Sequence, residues 1–141
     1  MAVTGRRKYR AAGSFTVTIR PLQKPEIAPG VSLGRMALDK QFVGDLVAAG
    51  KGEMLTAMTD VAGSAAYVAI ERVSGVLQGR RGSFVLQHNG TMTQGAQRLT
   101  ITVVPDSGVD KLAGIDGTFT INIIDSQHFY EFEYSLPAEP G

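Results

Sequence analysis

Along most of its length this chain alternates apolar and polar residues with a period of two. In "SFTVTIR", Phe15, Val17 and Ile19 oppose Ser14, Thr16 and Thr18. Successive side chains of a strand point to opposite faces, so this pattern predicts a half-buried β-strand. The same period returns in "RLTITVV" (Leu99, Ile101, Val103), "GTFTINI" (Phe119, Ile121, Ile123) and "HFYEFEYSL" (Tyr130, Phe132, Tyr134, Leu136). The runs 32–43, 46–59, 64–78 and 82–94 also read as strands, rich in Val, Ile, Tyr and Phe. Turn signals at "APG", "DVAG", "QGRRG", "TQGAQ" and "DSQ" separate about eight strands in all. A helix over 46–58 competes, because Ala, Leu and Met favour helices. Gly50 and Gly52 oppose it, each costing about 1 kcal/mol relative to Ala, and a strand is preferred. In the loop 105–117 a short helical turn capped by Ser107 is expected.

A meander of such strands leaves two sheet edges open unless it closes on itself. The chain is therefore expected to be all-β, a closed antiparallel barrel, with a two-sheet sandwich as the structural alternative. An eight-stranded barrel has an interior just wide enough for side chains or one small ligand. The motif "GSFTV" at 13 recurs as "GSFVL" at 82 and "GTFTI" at 117, each glycine allowing a turn before an anchoring Phe. The expected organisation is a basic tail over 1–12 (Arg6, Arg7, Lys8, Arg10), one domain over 13–136 and a C-terminal tail over 137–141.

Composition narrows the class. The 141 residues are 43% apolar and 19% charged, as in an ordinary globular domain. A net charge of +1 argues against nucleic acid as a partner. Cysteine is absent, which removes disulfides and thiolate metal sites. No window approaches the roughly 18 apolar residues of a membrane helix, and the basic start lacks the apolar stretch of an export signal. A soluble, cytoplasmic protein without membrane or nucleic-acid partners is expected.

Two strands carry polar residues where apolar ones are due. In "GRRGSFVLQHNGTM", His88 shares a face with Phe84, Leu86 and Met92, whereas Gln87 lies with Ser83 and Val85. Asn89-Gly90 is a hairpin signal, but a turn there would strand "TMT" before the second turn at "TQGAQ". A long strand bent at Gly90 is preferred. In "AAYVAIERVSGVL", Tyr67, Ala69, Glu71 and Val73 share a face, and small neighbours leave space around Tyr67 and Glu71. A carboxylate desolvated there would have a raised pKa and could serve as a general acid or base. Against this, Glu71 could be solvated and paired with Arg98, and His88 could be a satisfied core residue. Met36, Met54, Met58 and Met92 fall on the same strand parity as His88, and flexible thioethers suit an adaptable apolar lining. The expected site therefore has Glu71, His88 and Tyr67 as catalytic residues. Met36, Met54, Met58, Phe84, Leu86, Met92, Tyr130, Phe132 and Tyr134 are its expected ligand-binding wall.

Other chemistry is poorly supported. His128 and Glu131 lie three apart in a strand, on opposite faces, and two histidines with no "HExxH" give no zinc site. No "GxSxG" elbow occurs. "AAGKGEM" lacks the phosphate-loop spacing, and strand curvature better accounts for its glycines. No metal and no cofactor is expected.

The segments "GSAAYVAIERVSGVLQGRRGSFVLQHNGTM", "VVPDSGVDKLAGIDGTFTI" and "HFYEFEYSLP" resemble the bacterial domain of unknown function 3224 family, from about Gly13 to Leu136. That family is similar in fold to the allene oxide cyclase barrel. The resemblance implies a closed antiparallel barrel and a homodimer, and it carries over no catalytic residue. Gly108-Val109-Asp110 departs from the family's Gly-Thr-Gly type of loop.

Three functions fit these features. The first is a cofactor-independent cyclase or isomerase that confines an apolar flexible substrate, with acid/base help from Tyr67, Glu71 and His88. The second is a non-catalytic carrier or sensor of an apolar ligand, and the third a structural dimeric barrel with a filled interior.

Overall fold

The computed structural model describes residues 5–138. Ten strands form in chain order: β1 (Arg6–Pro21), β2 (Glu26–Ile27), β3 (Val31–Gly44), β4 (Leu46–Thr59), β5 (Ala65–Leu77), β6 (Arg80–Thr93), β7 (Ala96–Val103), β8 (Val109–Asp110), β9 (Asp116–Ile124) and β10 (Gln127–Pro137). Neighbours run β1-β10-β9-β7-β6-β5-β4-β3, and β1 pairs back onto β3, closing an eight-stranded antiparallel barrel. The short β2 and β8 lie outside the ring, against β3 and β6. Closure excludes the sandwich. No described helix is long and apolar enough to cross a membrane.

The turns follow from the sequence. Gln78-Gly79, Gln94-Gly95 and Asp125-Ser126 each have positive φ at both residues. This is the type I′ geometry whose twist matches flanking antiparallel strands. Gly90 is no turn: β6 runs through it to Thr93 and keeps register with both β5 and β7. The segment 46–58 is strand, as preferred.

Two boundaries differ from expectation. Residues 6–12 are not a tail but the first half of β1, paired with β10 from Arg6↔Pro137 onward. Arg6, Lys8 and Arg10 sit on the outer face, where Arg10 pairs with Glu131 at 2.6 Å and Arg6 donates to Ser135 at 2.8 Å. Pro137 closes β10, and the rest of the expected C-terminal tail beyond Ala138 lies outside the described residues. The helical turn expected in 105–117 is also replaced. Asp106 and Asp110 adopt left-handed backbone (φ 61 and 59), which a right-handed helix cannot accommodate. Ser107 instead accepts a hydrogen bond from Val85 N at 3.0 Å, and residues 109–110 add β8 to β6.

One end of the barrel is solid. Phe42, Phe84, Phe119, Tyr130, Phe132 and Tyr134 fill it with stacked and edge-on rings 5.1 to 5.8 Å apart. Leu112 and Ile115, from the segment after β8, join this core. The opposite end, formed by the first half of β5 and the second halves of β1 and β6, is open.

Candidate functional site

Where the core gives way to the open end, three ionisable side chains are buried: Lys40 of β3, Glu71 of β5 and His88 of β6. Strand register explains their meeting. Ala69 lies opposite His88, so its small side chain leaves room for the ring. Lys40 and Glu71 lie on either side of β4, which places Gly50 opposite Lys40 and Gly52 opposite Glu71. A Cβ at Gly50 would come within 2.2 Å of Glu71 Oε2, so the missing side chain is the carboxylate's space.

The three groups form one hydrogen-bonded chain with Tyr67. Lys40 Nζ donates to Glu71 Oε1 at 3.1 Å, and His88 Nε2 lies 2.9 Å from the same oxygen. Tyr67 Oη lies 3.2 Å from His88 Nδ1. A carboxylate only accepts, so Nε2 carries a proton; in the neutral ring Nδ1 is then free to accept from the Tyr67 hydroxyl. Lys40 Nζ also stands over the rings of Phe15 (4.9 Å to the centroid) and Phe42 (5.8 Å).

The charge state of Glu71 differs from the sequence-based expectation. Burial pushes its pKa up, but the His88 hydrogen bond and the Lys40 charge outweigh burial and hold it below the ordinary value of 4.5. Glu71 is therefore an anion at rest, not the protonated acid that burial alone would leave. The expected partner Arg98 is replaced by Lys40. Tyr67 moves the other way: burial, and then the Glu71 charge, push its pKa up to about 12, so it stays a hydroxyl.

Above this polar floor lies an apolar cavity of about 230 Å³. All eight barrel strands line it, through residues that include Phe15, Leu38, Met54, Leu99, Ile121 and His128, with Lys40, Tyr67 and His88 at its polar side. An adjoining groove of about 310 Å³ shares Met54, Tyr67 and Leu99 with it and continues past Met58, Gly90 and Met92. Ligand pockets commonly span about 300–1,000 Å³, so cavity and groove together suit one small apolar molecule.

The predicted residues divide accordingly. Glu71, His88 and Tyr67 are brought together, and Met54, Met58 and Met92 line the cavity or groove. Phe84, Leu86, Tyr130, Phe132 and Tyr134 do not line the space, because they are packed in the closed core. The Tyr130 hydroxyl is committed there, donating to Val43 O at 2.8 Å and accepting from Leu46 N at 2.9 Å. Met36 is half-buried opposite Met54 but is not among the lining residues. Lys40 was missed, although it shares strand parity with Met36, Leu38 and Phe42; the polar run "DKQ" hid it. His128, set aside as a metal ligand, packs at the mouth against Phe15, with ring centroids 5.1 Å apart. Among the described residues no group of three or more His, Cys, Asp or Glu could hold a metal ion.

The fold and site define a closed eight-stranded barrel with a solid end and an open apolar end floored by a Lys–Glu–His–Tyr chain. The chain belongs to the family described as "Protein of unknown function (DUF3224)", whose family model matches residues 11–134. It is similar to the crystal structure of a protein with unknown function from the DUF3224 family of Shewanella oneidensis MR-1. The two are 53% identical, the match covers 91% of this chain and 97% of that one, and the TM-score is 0.86. No curated protein matches.

Proposed function

We propose that the barrel binds a small, flexible, apolar molecule at its open end and isomerises or cyclises it without a cofactor. One observation carries this reading: Tyr67, which lines both cavity and groove, is wired to a buried anion through His88. A proton leaving the substrate passes to the Tyr67 oxygen as the Tyr67 proton moves to His88 Nδ1. The imidazolium so formed faces Glu71, which is ionised and in place before reaction. This is the logic of a base oriented by a carboxylate. Lys40 already balances Glu71, so the imidazolium is an excess buried charge and returns its proton promptly to a second substrate atom. The apolar walls supply confinement, selecting folded conformers and lowering the entropic part of the barrier.

The experiment is mass spectrometry of small molecules released from purified protein, followed by incubation of each with fresh protein. Conversion that is lost in both Tyr67→Phe and His88→Ala supports the reading. A ligand returned unchanged by the wild type makes the barrel a carrier and overturns the catalytic part.

A further inference from the structure

We infer that the molecule taken up at the open end is an apolar aldehyde or ketone, and that Lys40 holds it as an imine with Glu71 as counter-ion. This deepens the preceding reading and rests on it.

Five lysines occur in the chain, and Lys8, Lys24, Lys51 and Lys111 are exposed. Lys40 alone among them is buried, with 5% exposure, yet it lines the cavity. A lysine that served only to neutralise Glu71 would have no need to border the apolar space. Its amine stands between the Phe15 ring and Glu71, so an apolar carbonyl compound entering past Phe15, Leu38 and Met54 meets it at the cavity floor.

The chemistry balances without oxidant or cofactor. Lys40 passes one proton to Glu71 Oε1, 3.1 Å away, and the free amine attacks the carbonyl carbon. An N–C bond forms. The carbonyl oxygen leaves as water as the C–O bond breaks, taking one proton from the attacking nitrogen and the one that Glu71 returns. The overall change is ammonium plus carbonyl to protonated imine plus water, with one positive charge on each side. The cationic imine therefore stands where the cationic ammonium stood, facing the same carboxylate, and no new charge is buried. A protonated imine withdraws electrons from the adjacent carbon and makes its C–H acidic. That is the proton the Tyr67–His88 pair is placed to accept, which joins imine formation to the proposed isomerisation.

The test uses cinnamaldehyde, a compact apolar aldehyde, with sodium cyanoborohydride at neutral pH and peptide mapping of the whole protein. The expected result is a mass gain of the aldehyde less one oxygen atom on the peptide carrying Lys40, with little on those carrying Lys51 or Lys111. Before reduction, the aldehyde absorption moves to longer wavelength as a protonated imine forms, and this shift disappears in Lys40→Met. Because that variant leaves Glu71 unbalanced, Lys40→Met/Glu71→Gln serves as a second, charge-neutral control and is likewise expected to lose the shift. If label spreads over the exposed lysines while Lys40 stays unmodified, yet the aldehyde still raises the melting temperature, the imine is overturned and apolar binding stands. If neither labelling of Lys40 nor a melting shift occurs with cinnamaldehyde or with a released ligand, both readings fall.

Discussion

Gly50 and Glu71 occupy a single space: the hydrogen of the glycine faces Oε2 of the carboxylate, where any Cβ would lie 2.2 Å away. That oxygen has no hydrogen-bond partner among the described residues, whereas Oε1 takes both Lys40 and His88. The carboxylate is thus gripped on one side and bounded by backbone on the other.

Gly50→Ala is expected to destabilise the protein by about 1–3 kcal/mol, the usual cost of forcing an atom into a packed interior. In a Glu71→Ala background the cost should fall, because the nearest colliding group is gone and only the Phe42 ring, 3.0 Å from such a Cβ, remains close. Urea unfolding of the four proteins reads this coupling. An equal cost in both backgrounds would show that the clash lies elsewhere.

Removing one member of the buried ion pair is expected to cost more than removing both. Glu71→Gln leaves the Lys40 ammonium without its counter-ion, and Lys40→Met leaves Glu71 held only by its His88 hydrogen bond. Each is expected to lose about 3–5 kcal/mol, and the double variant less than the sum. Denaturant midpoints check this, and strict additivity would mean that the pair is not coupled.

Acid should unfold the protein partly through Glu71. Its pKa is lower folded than unfolded, so between the two values the unfolded chain binds more protons and stability falls as pH falls. The contribution is fully present above the ordinary value of 4.5 and is lost as the pH drops below it toward the folded pKa. Unfolding free energies measured through this range should fall less steeply in Glu71→Gln than in the wild type.

Gly90 offers a contrasting case at the open end. A Cβ there would approach Tyr67 Cε1 to 2.6 Å, but Tyr67 borders open space and can swing aside. Gly90→Ala is therefore expected to cost less stability than Gly50→Ala while pulling the Tyr67 hydroxyl away from His88. The checks are thermal melting, and loss of the Tyr67–His88 coupling seen as a change in the His88 ring resonances by NMR. A variant with wild-type His88 resonances would show that the ring does not move.

Much of this molecule was legible because a strand writes its two faces into alternate positions. The parity that put His88 with Phe84 and Leu86, and Glu71 with Tyr67 and Val73, is the parity of the barrel interior. The "NG" dipeptide was correctly passed over in favour of the turn at Gln94-Gly95. The same rule could not tell depth. Phe84, Phe132 and Tyr134 have the same inward parity as Tyr67 and Met54, yet they lie in the solid end, because position along the barrel axis depends on strand stagger.

By itself, then, the sequence determined the strands, their inward faces and the closed sheet, since period, turn residues and the cost of open edges are all local or additive. The meeting of Lys40 with Glu71 across the side-chain-free lane of Gly50 and Gly52 was decided only by tertiary structure. So were the anionic state of Glu71 and the division of the barrel into a filled and an open end. These depend on the register of non-neighbouring strands and on electrostatics at distances of about 3 Å, neither of which is written in any single stretch of chain.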